Sequence, residues 1–151
     1  MKKEKNLPEI ESFMKLRSFV LYGASSKKKK FGNYVLSSLT KKNYNVFLMH
    51  RSANFIDGQK AFSSFEEMPE KPEGAILVIP PAETERVIDD IIAAGIKNIW
   101  FQLGSVSQKA VRYCILNGIN VVSDECILMF LDRPGFPHNL HKWVWSIGAG
   151  K

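Results

Sequence analysis

The stretch Val20-Leu21-Tyr22-Gly23-Ala24-Ser25-Ser26-Lys27-Lys28-Lys29-Lys30-Phe31-Gly32-Asn33 constrains the fold more than any other part of the chain. Phe19 to Tyr22 is an apolar run of strand length and β-prone composition. It stops at a glycine, crosses two hydroxyls and four lysines, and reaches Gly32. Phe31, Val35, Leu36 and Leu39 then share one helical face. Strand, glycine turn and helix make the first half of a nucleotide-binding unit. Such a turn presents backbone N–H groups at a helix N-terminus, where an anion is stabilised. With the lysines beside it, the loop is expected to hold a phosphorylated, adenine-containing ligand.

Strands and helices alternate along the rest of the chain. Residues 7–15 have helical spacing, with Pro8 suited to a first turn. A helix is expected over about 32–42 and a second strand over 46–49. Residues 51–74 read as irregular, with a turn at Asp57-Gly58 and a single helical turn near Phe65. Residues 75–79 are continuously apolar, the mark of a third strand buried on both faces, and Pro80-Pro81 stop it. A second helix starts near Glu83 and ends at Gly95, and a fourth strand covers 98–102. Ser107 caps a third helix, and 119–122 form a fifth strand. This alternation predicts an α/β fold: a three-layer, Rossmann-like, doubly wound parallel sheet of about five strands in the order 3-2-1-4-5.

One domain is expected over residues 1–131, followed by a tail over 132–151. In the tail, Leu140, Trp143, Val144 and Ile147 fit one face of a short amphipathic helix. Docking of that helix in cis or in a homodimer is favoured over a partner or a membrane surface. No apolar run approaches the roughly 20 residues of a membrane span, so no transmembrane segment is expected. Charges interrupt the apolar residues behind the basic N-terminus, which argues against a signal peptide and for a cytoplasmic location. Cys114 and Cys126 make no disulfide framework. The net charge of +6 admits nucleic acid, but the basic residues do not interleave with aromatics as stacking platforms do, so none is expected.

In a doubly wound sheet the ligand sits at the carboxyl ends of the strands, where the winding reverses. With the reversal between strands one and four, Gly23, Ala24, Ser25 and Ser26 face Gln102, Leu103 and Gly104. His50, Arg51, Ile79 and Pro80 extend the same rim. Lys27, Lys30, Gly32 and Asn33 complete the loop side. Gly23 and Gly32 are nine positions apart, unlike the compact G-x-G-x-x-G fingerprint. The position after strand two, where NAD recognition wants an acid, carries His50-Arg51. A cation there suits a ribose phosphate, as in NADP or coenzyme A.

Several pieces, in this order and spacing, match one family: Val20 to Ser25, Gly32, Asn43-Tyr44-Asn45-Val46, Gly58-Gln59-Lys60-Ala61-Phe62, Met68-Pro69, Val78-Ile79-Pro80-Pro81, Ala94-Gly95-Ile96-Lys97, Gln102-Leu103-Gly104 and Asp124-Glu125-Cys126. Over about residues 18–130 the chain resembles the coenzyme A-binding domain that opens the succinyl-CoA synthetase α subunit, and still more its short free-standing relatives. The resemblance implies coenzyme A or an acyl-CoA as a small nucleotide ligand. Its phosphates would lie on the Gly23–Ser26 turn with Gly32, and its adenosine end near Arg51. Ile79 and Pro80 would border its path, with Phe101, Gln102 and Leu103 along the far side. The lysine run is heavier than the family loop usually carries. His50-Arg51 replaces the family's frequent Asn-Pro.

The synthetase's phosphorylated histidine belongs to a second domain for which this chain has no room, so binding without catalysis is expected. Ser25 and Ser26 read as phosphate or cap ligands rather than nucleophiles, and His50 as a rim residue rather than a general base. No Cys or His cluster has zinc spacing, and His138 with His141 lacks a third ligand. Cys126 is a buried cysteine, with thiol exchange toward coenzyme A as the sharper alternative. Two other readings are an NADP-dependent reductase or a fragment of one, and an interaction module with an empty crevice.

Overall fold

The computed structural model describes residues 2–27 and 29–131. Helix α1 (Lys2–Met14) precedes strand β1 (Ser18–Tyr22), helix α2 (Phe31–Lys41) and strand β2 (Asn45–Met49). A short hairpin follows, β3 (Phe55–Ile56) and β4 (Gln59–Phe62), and then a single 3-10 turn at Phe65–Glu67. Strand β5 (Gly74–Leu77), helix α3 (Pro81–Ala93), strand β6 (Asn98–Gln102), helix α4 (Gln108–Leu116), strand β7 (Asn120–Glu125) and helix α5 (Leu128–Leu131) complete the order.

The sheet has seven strands in the order β3-β4-β2-β1-β5-β6-β7. Every neighbouring pair is parallel except β3 with β4. The doubly wound class therefore holds, with two strands more than the five expected. Both lie in the stretch read as irregular, and one of them corrects the numbering. Among the parallel strands β4 occupies place three, so the apolar run of 75–79 is strand four and pairs directly with β1. The winding reverses between β1 and β5, not between β1 and the strand at 98–102. The hairpin escaped the pattern because only Ile56, Ala61 and Phe62 of its six strand residues are buried. At its tip, Asp57 and Gly58 both have positive φ (51° and 78°), the two-residue turn that suits a twisted hairpin.

All five residues of β1 are buried, as a central parallel strand requires. Successive side chains take opposite faces: Phe19 and Leu21 join the core under α1, α2 and α5, whereas Val20 and Tyr22 join the core under α3 and α4. Helix α1 begins well before Pro8, so that proline lies inside the helix rather than in its first turn. Phe13 of α1 stacks on Phe19 (ring centroids 5.0 Å apart) and meets Trp100 edge-on at 5.3 Å. The indole N–H of Trp100 donates to the Glu125 carbonyl at 3.1 Å, which satisfies the one polar atom of this large buried side chain. The expected tail helix and the His138–His141 pair lie outside the described residues. No helix among the described residues is long and apolar enough to cross a membrane.

Two predictions follow from this packing. Phe13→Ala should cost about 3–5 kcal/mol in urea unfolding, because that fully buried ring packs α1 onto Phe19 and Trp100; a loss below about 1 kcal/mol would mean that α1 is not part of the cooperative unit. Burial pushes the Cys114 thiol up to about 11. The raised value means that its contribution to stability is complete below the ordinary cysteine pKa, about 8.5, and is lost as pH rises toward 11. The unfolding free energy measured from pH 8 to 10 should therefore fall less steeply for Cys114→Ala than for the wild type.

Candidate functional site

A crevice of about 1350 Å³ runs along the carboxyl ends of β1, β2 and β5 and continues beside α3. Two glycines make its rim possible. Gly23 closes β1 at φ 119°, and a Cβ there would collide with the backbone carbonyl of Val78 at the end of β5. A Cβ on Gly32 would collide with the carbonyl of Gly23, so the first turn of α2 rests directly on the end of β1.

Asn33 fixes the loop between those glycines. Its side-chain oxygen accepts the backbone N–H groups of Ser25 (3.0 Å) and Lys30 (3.2 Å). Its amide nitrogen donates to the Ser25 carbonyl (3.0 Å) and to the Asp57 carboxylate (2.9 Å). One buried carboxamide thus joins both ends of the loop to the tip of the β3–β4 hairpin. Ser25 Oγ accepts the Lys27 N–H at 3.2 Å, so this hydroxyl also shapes the loop.

Neighbouring turns are held in the same manner. His50 Nδ1 accepts the N–H groups of Ser52 (3.1 Å) and Ala53 (2.9 Å), which curls the chain after β2 and directs Arg51 to the rim. Ser105 Oγ accepts the Ile79 N–H at 2.9 Å, and the Ser105 carbonyl accepts the Thr84 hydroxyl at 2.9 Å. These bonds clamp the turn after β6 to the start of α3. Ser107 caps α4 as expected, accepting the Ala110 N–H at 3.2 Å.

Of the residues expected at the site, Gly23, Ala24, Ser25, Lys30, His50, Arg51, Ile79, Pro80, Leu103 and Gly104 line the crevice. Ser26 and Lys27 are exposed on the loop outside the lining, and Lys28 lies outside the described residues. Gly32 and Asn33 are buried behind the loop and shape it. Phe101 and Gln102 do not reach the crevice: Phe101 is in the core, and the Gln102 side-chain oxygen accepts the Ile127 N–H at 3.0 Å. Gln102 is expected at the rim from a reversal beside the strand at 98–102, which lies one strand further out, and Phe101 from the family resemblance. Cys126 is half-buried and is not among the lining residues.

The sequence reading missed the α3 wall, above all Arg86, and the stretch Ser63–Glu66 opposite it. The signal for α3 was present, since Glu83, Arg86 and Asp90 border the buried stripe of Val87, Ile88, Ile91 and Ile92, but charged positions beside such a stripe read as surface. Tyr22, on the crevice floor, has its phenol pushed far above the ordinary tyrosine range, first by burial and then by the Asp90 carboxylate.

Asn33→Ala should leave the part-buried Ser25 and Lys30 backbone N–H groups of the loop without their partner and cost about 1 kcal/mol or more. Amide exchange over residues 24–30 should accelerate as well; unchanged exchange there would show that the loop holds its shape without this side chain.

The family model of the CoA binding domain matches residues 17–132. Among solved structures, a conserved hypothetical protein from Pyrococcus furiosus is 30% identical, with a TM-score of 0.69 over 75% of this chain and 97% of that one. A hypothetical protein from Pyrococcus horikoshii OT3 is 25% identical, with a TM-score of 0.73 over 83% of this chain and 87% of that one. A dinucleotide-forming acetyl-coenzyme A synthetase from Ca. Korarchaeum cryptofilum shares the fold at 23% identity and a TM-score of 0.61, covering 70% of this chain and 25% of the synthetase. With residues 17–132 matched by that model, the chain belongs to the CoA binding domain family.

Proposed function

We propose that the crevice holds coenzyme A or an acyl-CoA, and that this chain binds it without transforming it, as a carrier, a sensor or a subunit. The observation that carries the reading is the placing of Lys30 and Arg51 on the rim, above the ends of β1 and β2, beside the first turn of α2. The ligand's phosphates require cations and helix-end donors at such a place. The donor set suits the rest of the molecule as well. Ser25, Ser52 and Ser63 offer hydroxyls, while Met49, Phe65, Ile79 and Pro80 offer apolar walls for adenine and the pantetheine arm. Arg51 follows β2, where an acid would serve an unphosphorylated ribose, and so favours a ribose phosphate.

The absence of catalysis is supported by how the candidate groups are engaged. His50 Nδ1 is occupied by two backbone N–H groups, and Ser25 Oγ by that of Lys27. A nucleophile needs a base aimed at it.

Titration calorimetry with coenzyme A, dephospho-coenzyme A, NADP and NAD tests the reading. Coenzyme A should bind best, with an affinity that falls as salt rises. Loss of the ribose phosphate, or Arg51→Gln, should weaken binding by about tenfold or more. Glutamines at Lys27 to Lys30 should weaken it further and flatten the salt dependence. Acetyl-CoA incubated with the protein should remain intact by mass spectrometry. Heat with NADP alone, or with none of the four, would overturn the proposal.

A further inference from the structure

The crevice is electrically divided, and the division bears on what the ligand's far end can be. Resting on the coenzyme A reading above, we propose that this site accepts acyl groups that are uncharged or cationic and discriminates against those ending in a carboxylate. Lys30 and Arg51 mark the rim as the place for the phosphates. What remains for the rest of the ligand is the groove beside α3. Its lining runs from Pro81 to Ala94, about 20 Å at 1.5 Å per residue, long enough for an extended arm.

Along that groove the charge balance inverts. Glu83 and Asp90 stand on the α3 stripe with Arg86 between them, and Glu66 lines the same crevice. Glu83 stands in the first turn of α3 at the rim end, so Glu66 and Asp90 against Arg86 leave the groove below it net negative, whereas Lys30 and Arg51 outweigh Glu83 at the rim. Lys71, near the groove's lower end, donates to the Gly95 carbonyl at 3.5 Å and is not among the lining side chains. The field of Asp90 reaches the floor, since its charge adds to burial in raising the Tyr22 phenol. An acyl chain ending in a methyl group would meet Val87, Ala93 and Ala94 at no electrostatic cost. A terminal carboxylate would shed water and enter a field of its own sign, and both effects oppose binding.

Calorimetry with coenzyme A, butyryl-CoA and succinyl-CoA, at 20 and 150 mM salt, tests this directly. The two acyl groups have equal carbon counts and differ in the terminal carboxylate. Butyryl-CoA should bind about tenfold or more tightly than succinyl-CoA at low salt, and the ratio should shrink at higher salt. Asp90→Asn and Glu66→Gln, each at exposed positions, should each narrow the ratio. Coenzyme A and succinyl-CoA binding with affinities within twofold of butyryl-CoA would overturn the inference and leave the coenzyme reading intact. Failure of coenzyme A itself to bind would overturn both.

Discussion

The site depends on one close approach of backbones. Gly32, in the first turn of α2, lies against the carbonyl of Gly23, and Gly23 lies against the carbonyl of Val78. No side chain fits in either gap, so the end of β1, the start of α2 and the end of β5 form one surface. Once they are that close, the chain from Ala24 to Phe31 has nowhere to go except out over the rim, and Asn33 ties it there by bonding to both its ends. The carboxamide also reaches Asp57, so a hairpin with few buried residues is coupled to the loop it stands beside. Preorganisation of this kind lowers the ordering cost that a ligand would otherwise meet on binding.

The sheet beneath is built to keep that surface fixed. Parallel strands buried on both faces expose only their ends, and the two cores share β1 through the alternation of Phe19 and Leu21 against Val20 and Tyr22. On one side the Phe13–Phe19–Trp100 ring cluster anchors α1; on the other, Ser105 and Thr84 hold the turns after β5 and β6 together. The reversal of winding between β1 and β5 then opens the crevice where these fixed turns converge.

Much of this was legible in the sequence, for identifiable reasons. Long apolar runs such as 75–79 and glycine-ended helices announce themselves through periodicity, and the loop from Gly23 to Asn33 did so through its glycines and charge. The hairpin did not, because a strand with two buried residues leaves too faint an alternation to read. That omission displaced the numbering of the strands and moved the expected reversal by one strand, which put Gln102 beside a rim it does not reach, while Phe101 was expected there from the family resemblance. The α3 wall was hidden for a different reason. Glu83, Arg86 and Asp90 look like an ordinary solvated face until the turn at residues 63–66 is seen to stand opposite. Asn33 was expected as part of the loop, but its role as the tie between loop and hairpin rests on contacts across 24 residues that no local pattern contains.

The central claim is that the loop between β1 and α2, with the turn after β2, receives the phosphates of a coenzyme A molecule. Amide hydrogen exchange recorded with and without saturating coenzyme A tests it most directly. The account predicts added protection confined to residues 23–34, 50–53, 63–66 and 79–94, with α4 and β7 unchanged. Protection centred on α4, or none anywhere at a concentration where calorimetry detects binding, would contradict it.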